Sequence, residues 1–197
     1  MIAEIHAHQK RVTGLAYSSA LNILLSSGYE AQICAWNRFG WNQSTNFIND
    51  HGNALSPPHI SVKFHQDHIH MLVVHESGIA TLEGPNLEPC KQKKILKPPK
   101  YFLQWIPLKF IGDAAYSSDG QSIYACFFNR HIVFLNSASF TLLTGSCLLH
   151  YFYSQVMYAS TLAANPMKHN QVAPGLSDGG ALVIEEEDIG IWLCRTP

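Results

Sequence analysis

Short runs of branched and aromatic residues, broken by Ser, Asn, Asp and Gly, recur along this chain in the same order four times. Ile23-Leu24-Leu25-Ser26-Ser27 is followed by a turn around Gly28 to Glu30 and then by Gln32-Ile33-Cys34-Ala35-Trp36. His70-Met71-Leu72-Val73-Val74 turns at Glu76-Ser77-Gly78 into Ile79-Ala80-Thr81-Leu82. Ser122 to Phe128 turns at Asn129-Arg130 into His131 to Leu135, and Gln171 to Leu176 turns at Ser177 to Gly180 into Ala181 to Ile184. No stretch holds a 3.6-residue apolar period, so the pattern predicts an all-β chain with strands near 12–18, 23–27, 32–36, 60–64, 70–74, 79–83, 112–116, 122–127, 131–135, 160–164, 171–173 and 181–184.

The strand opening each unit also repeats. Val12 to Ser19 is echoed by Ile60 to Asp67, by Gly112 to Gly120 and, more weakly, by Ser160 to Pro166. Anchored on Tyr17, Phe64, Tyr116 and Ala164, the offsets are 47, 52 and 48 residues, a little above the ~40–45 of a four-stranded propeller repeat. Four blades are therefore expected, in units roughly 6–50, 51–104, 105–150 and 151–184, with a tail over 185–197.

Composition narrows the function classes. The 197 residues carry 13 Lys+Arg against 14 Asp+Glu, a formal net charge of −1, and the 14% charged fraction is well below the roughly 25% of an average domain. With 47% hydrophobic residues the chain can build a core, and its neutral balance argues against direct nucleic-acid binding, which needs a basic face. The 37 residues from His131 to Met167 contain no Asp, Glu, Lys or Arg, yet Asn136, Ser137, Ser139, Thr141 and later polar residues keep any apolar run far short of a membrane span. Met1 to His8 has an early acid and no apolar core, so a secretory signal is not expected. Five scattered cysteines without a C-x-x-C pair fit reduced thiols in an intracellular compartment.

Candidate chemistry is sparse. His65-x-x-His68-x-His70 and His6-x-His8 are the densest histidine groups, but His65 precedes a turn and no Cys or carboxylate set completes a zinc shell in sequence. A structural or surface role is the expectation, with no metal and no cofactor. The chain lacks G-x-S-x-G, H-E-x-x-H, G-x-x-x-x-G-K-[ST] and G-x-G-x-x-G, so no catalytic residues are assigned and an enzyme is not expected. Lys91, Lys93, Lys94, Lys97 and Lys100 gather around Pro98-Pro99 as a possible-contact basic patch for an acidic partner, or as a solvated insertion over 93–104; Glu185 to Asp188 reads as an exposed acidic tail.

His8, Leu15, Tyr17, Ser18 and the closing Trp36-Asn37 resemble the WD-repeat pattern. That resemblance implies a buried hydrogen-bond chain in which His8, Ser26 and Trp36 hold three places and Glu30 stands where the pattern has Asp. Glu is one methylene longer, so a weaker or absent chain of bonds is expected. Read in order, His8 to Ser18, Ala20 to Leu24, Ala31 to Cys34, Leu72 to Glu76, Trp105-Ile106-Pro107, Tyr116 to Asp119 and Gly175 to Gly180 are similar to the carboxy-terminal propeller of the plant TOPLESS-type transcriptional corepressors. The resemblance breaks at 93–104 and after Ile184, where loops and translated non-coding sequence are both open readings.

It implies about four blades of a seven-bladed propeller, an open arc with uncovered blade faces, and a non-enzymatic nuclear module whose partners are proteins of the repression machinery, with no small-molecule substrate and no membrane. Short leucine-rich repression motifs are bound in that family by a helical domain, so capture of such motifs by these residues is not expected. The alternative is a cytoplasmic WD-repeat adaptor, such as a ubiquitin-ligase substrate receptor, which the fold alone does not separate from the first.

Overall fold

The computed structural model describes residues 4–6, 8–30, 32–41, 43–48, 60–75, 78–83, 88–89, 111–128, 131–147 and 158–186. The chain divides into two compact units, Met1–Ile95 and Leu96–Pro197. Each holds two antiparallel sheets whose strands follow one another in sequence order.

In the first unit β1 (Val12–Ser18), β2 (Ile23–Gly28), β3 (Gln32–Asn37) and β4 (Gln43–Ile48) form one meander, and β5 (Ile60–Phe64), β6 (His70–His75), β7 (Gly78–Glu83) and β8 (Glu88–Pro89) form the next. In the second, β9 (Ile111–Tyr116), β10 (Ser122–Phe127), β11 (His131–Asn136) and β12 (Leu142–Cys147) are followed by β13 (Ala159–Ala164), β14 (Gln171–Leu176) and β15 (Ile184–Glu185). Sequential meanders stacked face to face are the blades of a β-propeller. The fold is all-β, a four-blade propeller segment with no α-helix among the described residues.

Face-to-face packing explains why the central strands are apolar on both sides. Ile23, Leu25, Ile33 and Ala35 of the first blade meet Ile60, Val62, Met71 and Val73 of the second. Tyr124, Cys126, Ile132 and Phe134 of the third meet Ala159, Leu162, Val172 and Ile184 of the fourth. Each fully buried side chain of Leu or Ile size is worth about 1.5–3 kcal/mol, so these two seams contribute substantially to the cohesion inside each unit.

Polar bonds fix the register of the seams. In the first unit Ser27 Oγ donates to the Ile60 carbonyl at 3.1 Å, joined there by the Thr13 hydroxyl. In the second, the buried Asp113 carboxylate accepts from Leu162 N at 2.8 Å and Thr161 Oγ1 at 3.2 Å. The repeat is legible in the backbone too. Register shifts fall between Val12 and Gly14, between Cys126 and Phe127 opposite Asp113 and Ile111, and between Ala159 and Thr161. The residues skipped are Thr13, Gly112 and Ser160, each four positions before its repeat anchor.

Two differences from the sequence expectation have physical causes. The outer strands β4, β8 and β12 were not expected, because Gln43-Ser44-Thr45-Asn46 and Thr144-Gly145-Ser146 carry no apolar alternation. The last strand, expected over 181–184, is split into an isolated Gly175–Ala181 bridge and β15. Pro174 interrupts it: Leu182 N donates to the Pro174 carbonyl at 3.1 Å, and proline has no N–H to return. Glu185, the first residue of the expected tail, pairs with Gln171 in β15. The basic segment with Lys91, Lys93, Lys94, Lys97 and Lys100, the stretch 93–104 and residues 187–197 lie outside the described residues.

Candidate interaction surface

Four polar side chains form a continuous chain through the first blade. Trp36 Nε1 donates to Ser26 Oγ at 3.0 Å, His8 Nε2 lies 2.8 Å from the same Oγ, and His8 Nδ1 lies 2.7 Å from Glu30 Oε1. Since an ionised carboxylate only accepts, the network assigns the proton of a neutral His8 to Nδ1 and lets the Ser26 hydroxyl donate to Nε2. The chain therefore runs Trp36, Ser26, His8, Glu30 with each donor aimed at the next acceptor. The His8 imidazole is fully buried.

The longer Glu side chain still reaches His8, while its second oxygen, Oε2, is buried without a hydrogen-bond partner. Gly28 makes the room: a Cβ there would sit 2.6 Å from Glu30 Oε2 and 2.4 Å from His8 Nδ1. Burial pushes the nearby Cys34 thiol up, the Glu30 charge pushes it further, and the Ser26 hydroxyl only partly opposes them. Cys34 is thus a packed thiol rather than a nucleophile.

The chain of bonds ties the β2–β3 turn, where Glu30 stands, to Ser26 of β2 and Trp36 of β3; the other end of the blade carries the β1–β2 and β3–β4 turns. Asn37, at the end of β3, caps the second turn by accepting Phe39 N on Oδ1 at 2.8 Å, while its carbonyl accepts Trp41 N at 2.8 Å. The third blade repeats this turn with Asn136 and Phe140. Trp41 and Phe140 share a left-handed backbone, with φ of 53° and 55°. Their side chains differ in fate: Phe140 is buried, whereas Trp41 is exposed beside an 84% exposed Phe39. Arg38 Nη1 reaches the half-exposed Tyr17 hydroxyl at 3.4 Å. Tyr17, Arg38, Phe39 and Trp41 therefore crowd one end of the first blade with residue types that anchor protein interfaces.

The second blade presents its β5–β6 turn at the same end, tied to the first by Ser18 Oγ donating to the His68 carbonyl at 2.5 Å. Within that turn Asp67 Oδ1 accepts Ile69 N at 2.7 Å and His70 N at 2.9 Å. Its Oδ2 faces His65 Nδ1 at 3.0 Å and bonds His70 Nδ1. Burial alone would raise the Asp67 carboxyl; the bonds from His70, the Ile69 and His70 amides and His65 outweigh it and hold the group well below the usual carboxylate range. Of the histidines singled out in sequence, the structure brings His65 and His70 together, and Asp67 supplies the carboxylate missing from the sequence reading. His6 lies exposed at the chain's start, 3.8 Å from Glu4.

Comparison with known proteins places this arrangement. The chain is 41% identical over 192 residues to Topless-related protein 4 of Arabidopsis thaliana, covering 93% of this chain and 16% of that protein. It is 37% identical over 190 residues to Protein TPR3 of Oryza sativa subsp. japonica, with the same coverages. Protein TOPLESS of Arabidopsis thaliana matches at 36% over 203 residues, 99% of this chain and 17% of that protein. The chain is similar, over nearly its whole length, to one segment of the TOPLESS-related proteins.

It spans only 16–17% of the length of these TOPLESS-related proteins. No protein-family model matches it. Among solved structures, the β-propeller domain of Cps50 (Swd1), described as from Myceliophteria thermophila, superposes with a TM-score of 0.70 at 12% identity, over 93% of this chain and 55% of that one. The computationally designed Ika4 protein superposes with a TM-score of 0.62 at 15% identity, over 92% of this chain and 95% of that one. At such identities the structures support the fold alone.

Proposed function

We propose that this chain is a non-enzymatic protein-interaction module of a TOPLESS-type transcriptional corepressor, acting in the nucleus on proteins of the repression machinery. The observation that carries the reading is the exposed Tyr17, Arg38, Phe39 and Trp41 group on a propeller blade whose sequence follows the TOPLESS-related proteins. Rigid aromatic and guanidinium side chains on a hydrogen-bonded turn lose little entropy on binding and bury large areas, which suits a partner protein better than a small substrate. No helix among the described residues is long and apolar enough to cross a membrane. The relatives do not favour the cytoplasmic adaptor reading. In the sheets, His8, Ser26, Glu30 and Trp36 serve as the blade's internal brace rather than as contact residues.

The test is tethering. Fused to a sequence-specific DNA-binding domain, the 197-residue chain should lower transcription of a reporter in plant cells, and Phe39→Ala with Trp41→Ala should relieve that repression without changing protein level. A well-expressed fusion that leaves the reporter untouched would refute the reading, as would full repression by the double variant.

A further inference from the structure

The four blades make the same inner turn with different residues, and the comparison isolates something the fold does not require. One position after each repeat anchor stands a polar residue that bonds its own turn: Ser18, His65, Ser117 and Asn165. In the third blade the turn is closed by Ser117, Asp119 and Ser122. Ser117 Oγ donates to Asp119 Oδ1 at 2.6 Å and accepts Ser122 N at 2.9 Å, and Asp119 Oδ1 accepts Gln121 N at 3.0 Å. The second blade keeps the aspartate as Asp67 and carries histidine at both serine positions, His65 and His70. Two imidazoles thus flank a carboxylate in a turn that the third blade closes without them.

We propose that His65, Asp67 and His70 form a three-ligand site for a borderline first-row divalent cation, with Zn2+ as the reference ion. One ligand atom from each lies within 4.8 Å of the others. Tetrahedral ligands about 2.1 Å from zinc are about 3.4 Å apart, so both rings have to open away from Asp67 Oδ2 to admit the ion, an adjustment within the reach of side-chain rotation. Asp67 is held ready for it, because the Ile69 and His70 amides occupy Oδ1 and aim Oδ2 at both rings. The His65 ring faces two neighbours that no single protonation state satisfies. Its Nδ1 meets a donor, Asp67 N at 3.2 Å, and an acceptor, Asp67 Oδ2 at 3.0 Å, so neither protonation state suits both neighbours. A cation between Nδ1 and Oδ2 gives the two acceptors a common partner.

Two nitrogen donors select zinc, copper or nickel over calcium and magnesium, which take oxygen shells. The three side chains are 19%, 31% and 44% exposed, so an ion enters from solvent and keeps an open position for water or for a side chain of a bound protein.

Calorimetric titration of the metal-free 197-residue chain with Zn2+, paired with Co2+ as a spectroscopic probe, tests the site. The wild-type chain should bind one ion at this turn, with the Co2+ spectrum of mixed nitrogen and oxygen ligation. Asp67→Asn should weaken binding by about tenfold or more. The pair His65→Ser and His70→Ser, which rebuilds the third-blade turn, should abolish it while leaving the circular dichroism and melting of the metal-free chain unchanged. His6→Gln should have no effect. If Asp67→Asn fails to fold, the paired serine variant decides alone. Absence of binding by the wild-type chain, or undiminished binding by the paired variant, would overturn the proposal.

Discussion

Replacing Ser26 by alanine removes the hub of the first blade while leaving its shape almost intact. The Ser26 hydroxyl takes the Trp36 indole N–H at 3.0 Å and bonds His8 Nε2 at 2.8 Å, and all three groups are shielded from water. Each buried polar group left without a partner costs about 1–3 kcal/mol. His8 keeps its Glu30 bond at 2.7 Å, so the two losses do not add in full, and about 2–4 kcal/mol is expected for Ser26→Ala. That is a large share of the 5–15 kcal/mol typical of a domain. Urea unfolding of the 197-residue chain, followed by tryptophan fluorescence and circular dichroism, measures it as a lower midpoint at unchanged slope. A double-mutant cycle with Trp36→Phe should return a coupling of about 1 kcal/mol or more. A Ser26→Ala loss under about 0.5 kcal/mol, the range of an inert surface change, would refute the reasoning.

Gly28→Ala should destabilise the chain by about 1–3 kcal/mol in the same assay, because the new methyl falls on His8 Nδ1 and the Glu30 carboxylate; an unchanged midpoint would mean that the pair can move aside. Burial, with the Glu186 and Asp119 charges adding, pushes the Tyr124 phenol up to about 12. The folded value is raised, so the stability tied to neutral Tyr124 is complete below about pH 10 and is lost as pH rises toward 12. Ultraviolet titration should show a late phenolate that Tyr124→Phe removes, and an unchanged titration curve for Tyr124→Phe would contradict it.

The inner strands were legible in sequence because both of their faces are buried. Ile23 to Ser27, Gln32 to Trp36, Ser122 to Phe128 and His131 to Leu135 are runs rich in branched and aromatic residues bounded by turn residues, and the spacing of the strands that open each unit gave the blade count. The outer strands were not legible, since Gln43–Ile48 and Leu142–Cys147 are placed by their neighbours' ladders rather than by an apolar pattern of their own. Candidate chemistry followed a similar rule. His8, Ser26, Glu30 and Trp36 could be named from a repeat pattern, but the part played by Gly28 needed the distance between its backbone and Glu30. Asp67 was passed over because it sits inside a turn string, where aspartate is expected for backbone capping. Only the fold shows that its second oxygen faces two imidazoles.

Pro174 bears on how the fourth sheet meets other chains. An exposed sheet edge is a template on which a foreign strand can grow, and long regular edges seed aggregation. Among the described residues, the sheet ends in a two-residue β15 separated from the Ala181 bridge by a missing amide, and Glu185 and Glu186 place two carboxylates at its end. An arriving strand would find too few aligned donors and acceptors to zip against, and carboxylates that resist being dehydrated. The same gap removes cohesion from the sheet itself, so β15 should peel away before β13 and β14 part, showing the fastest amide exchange of the fourth blade.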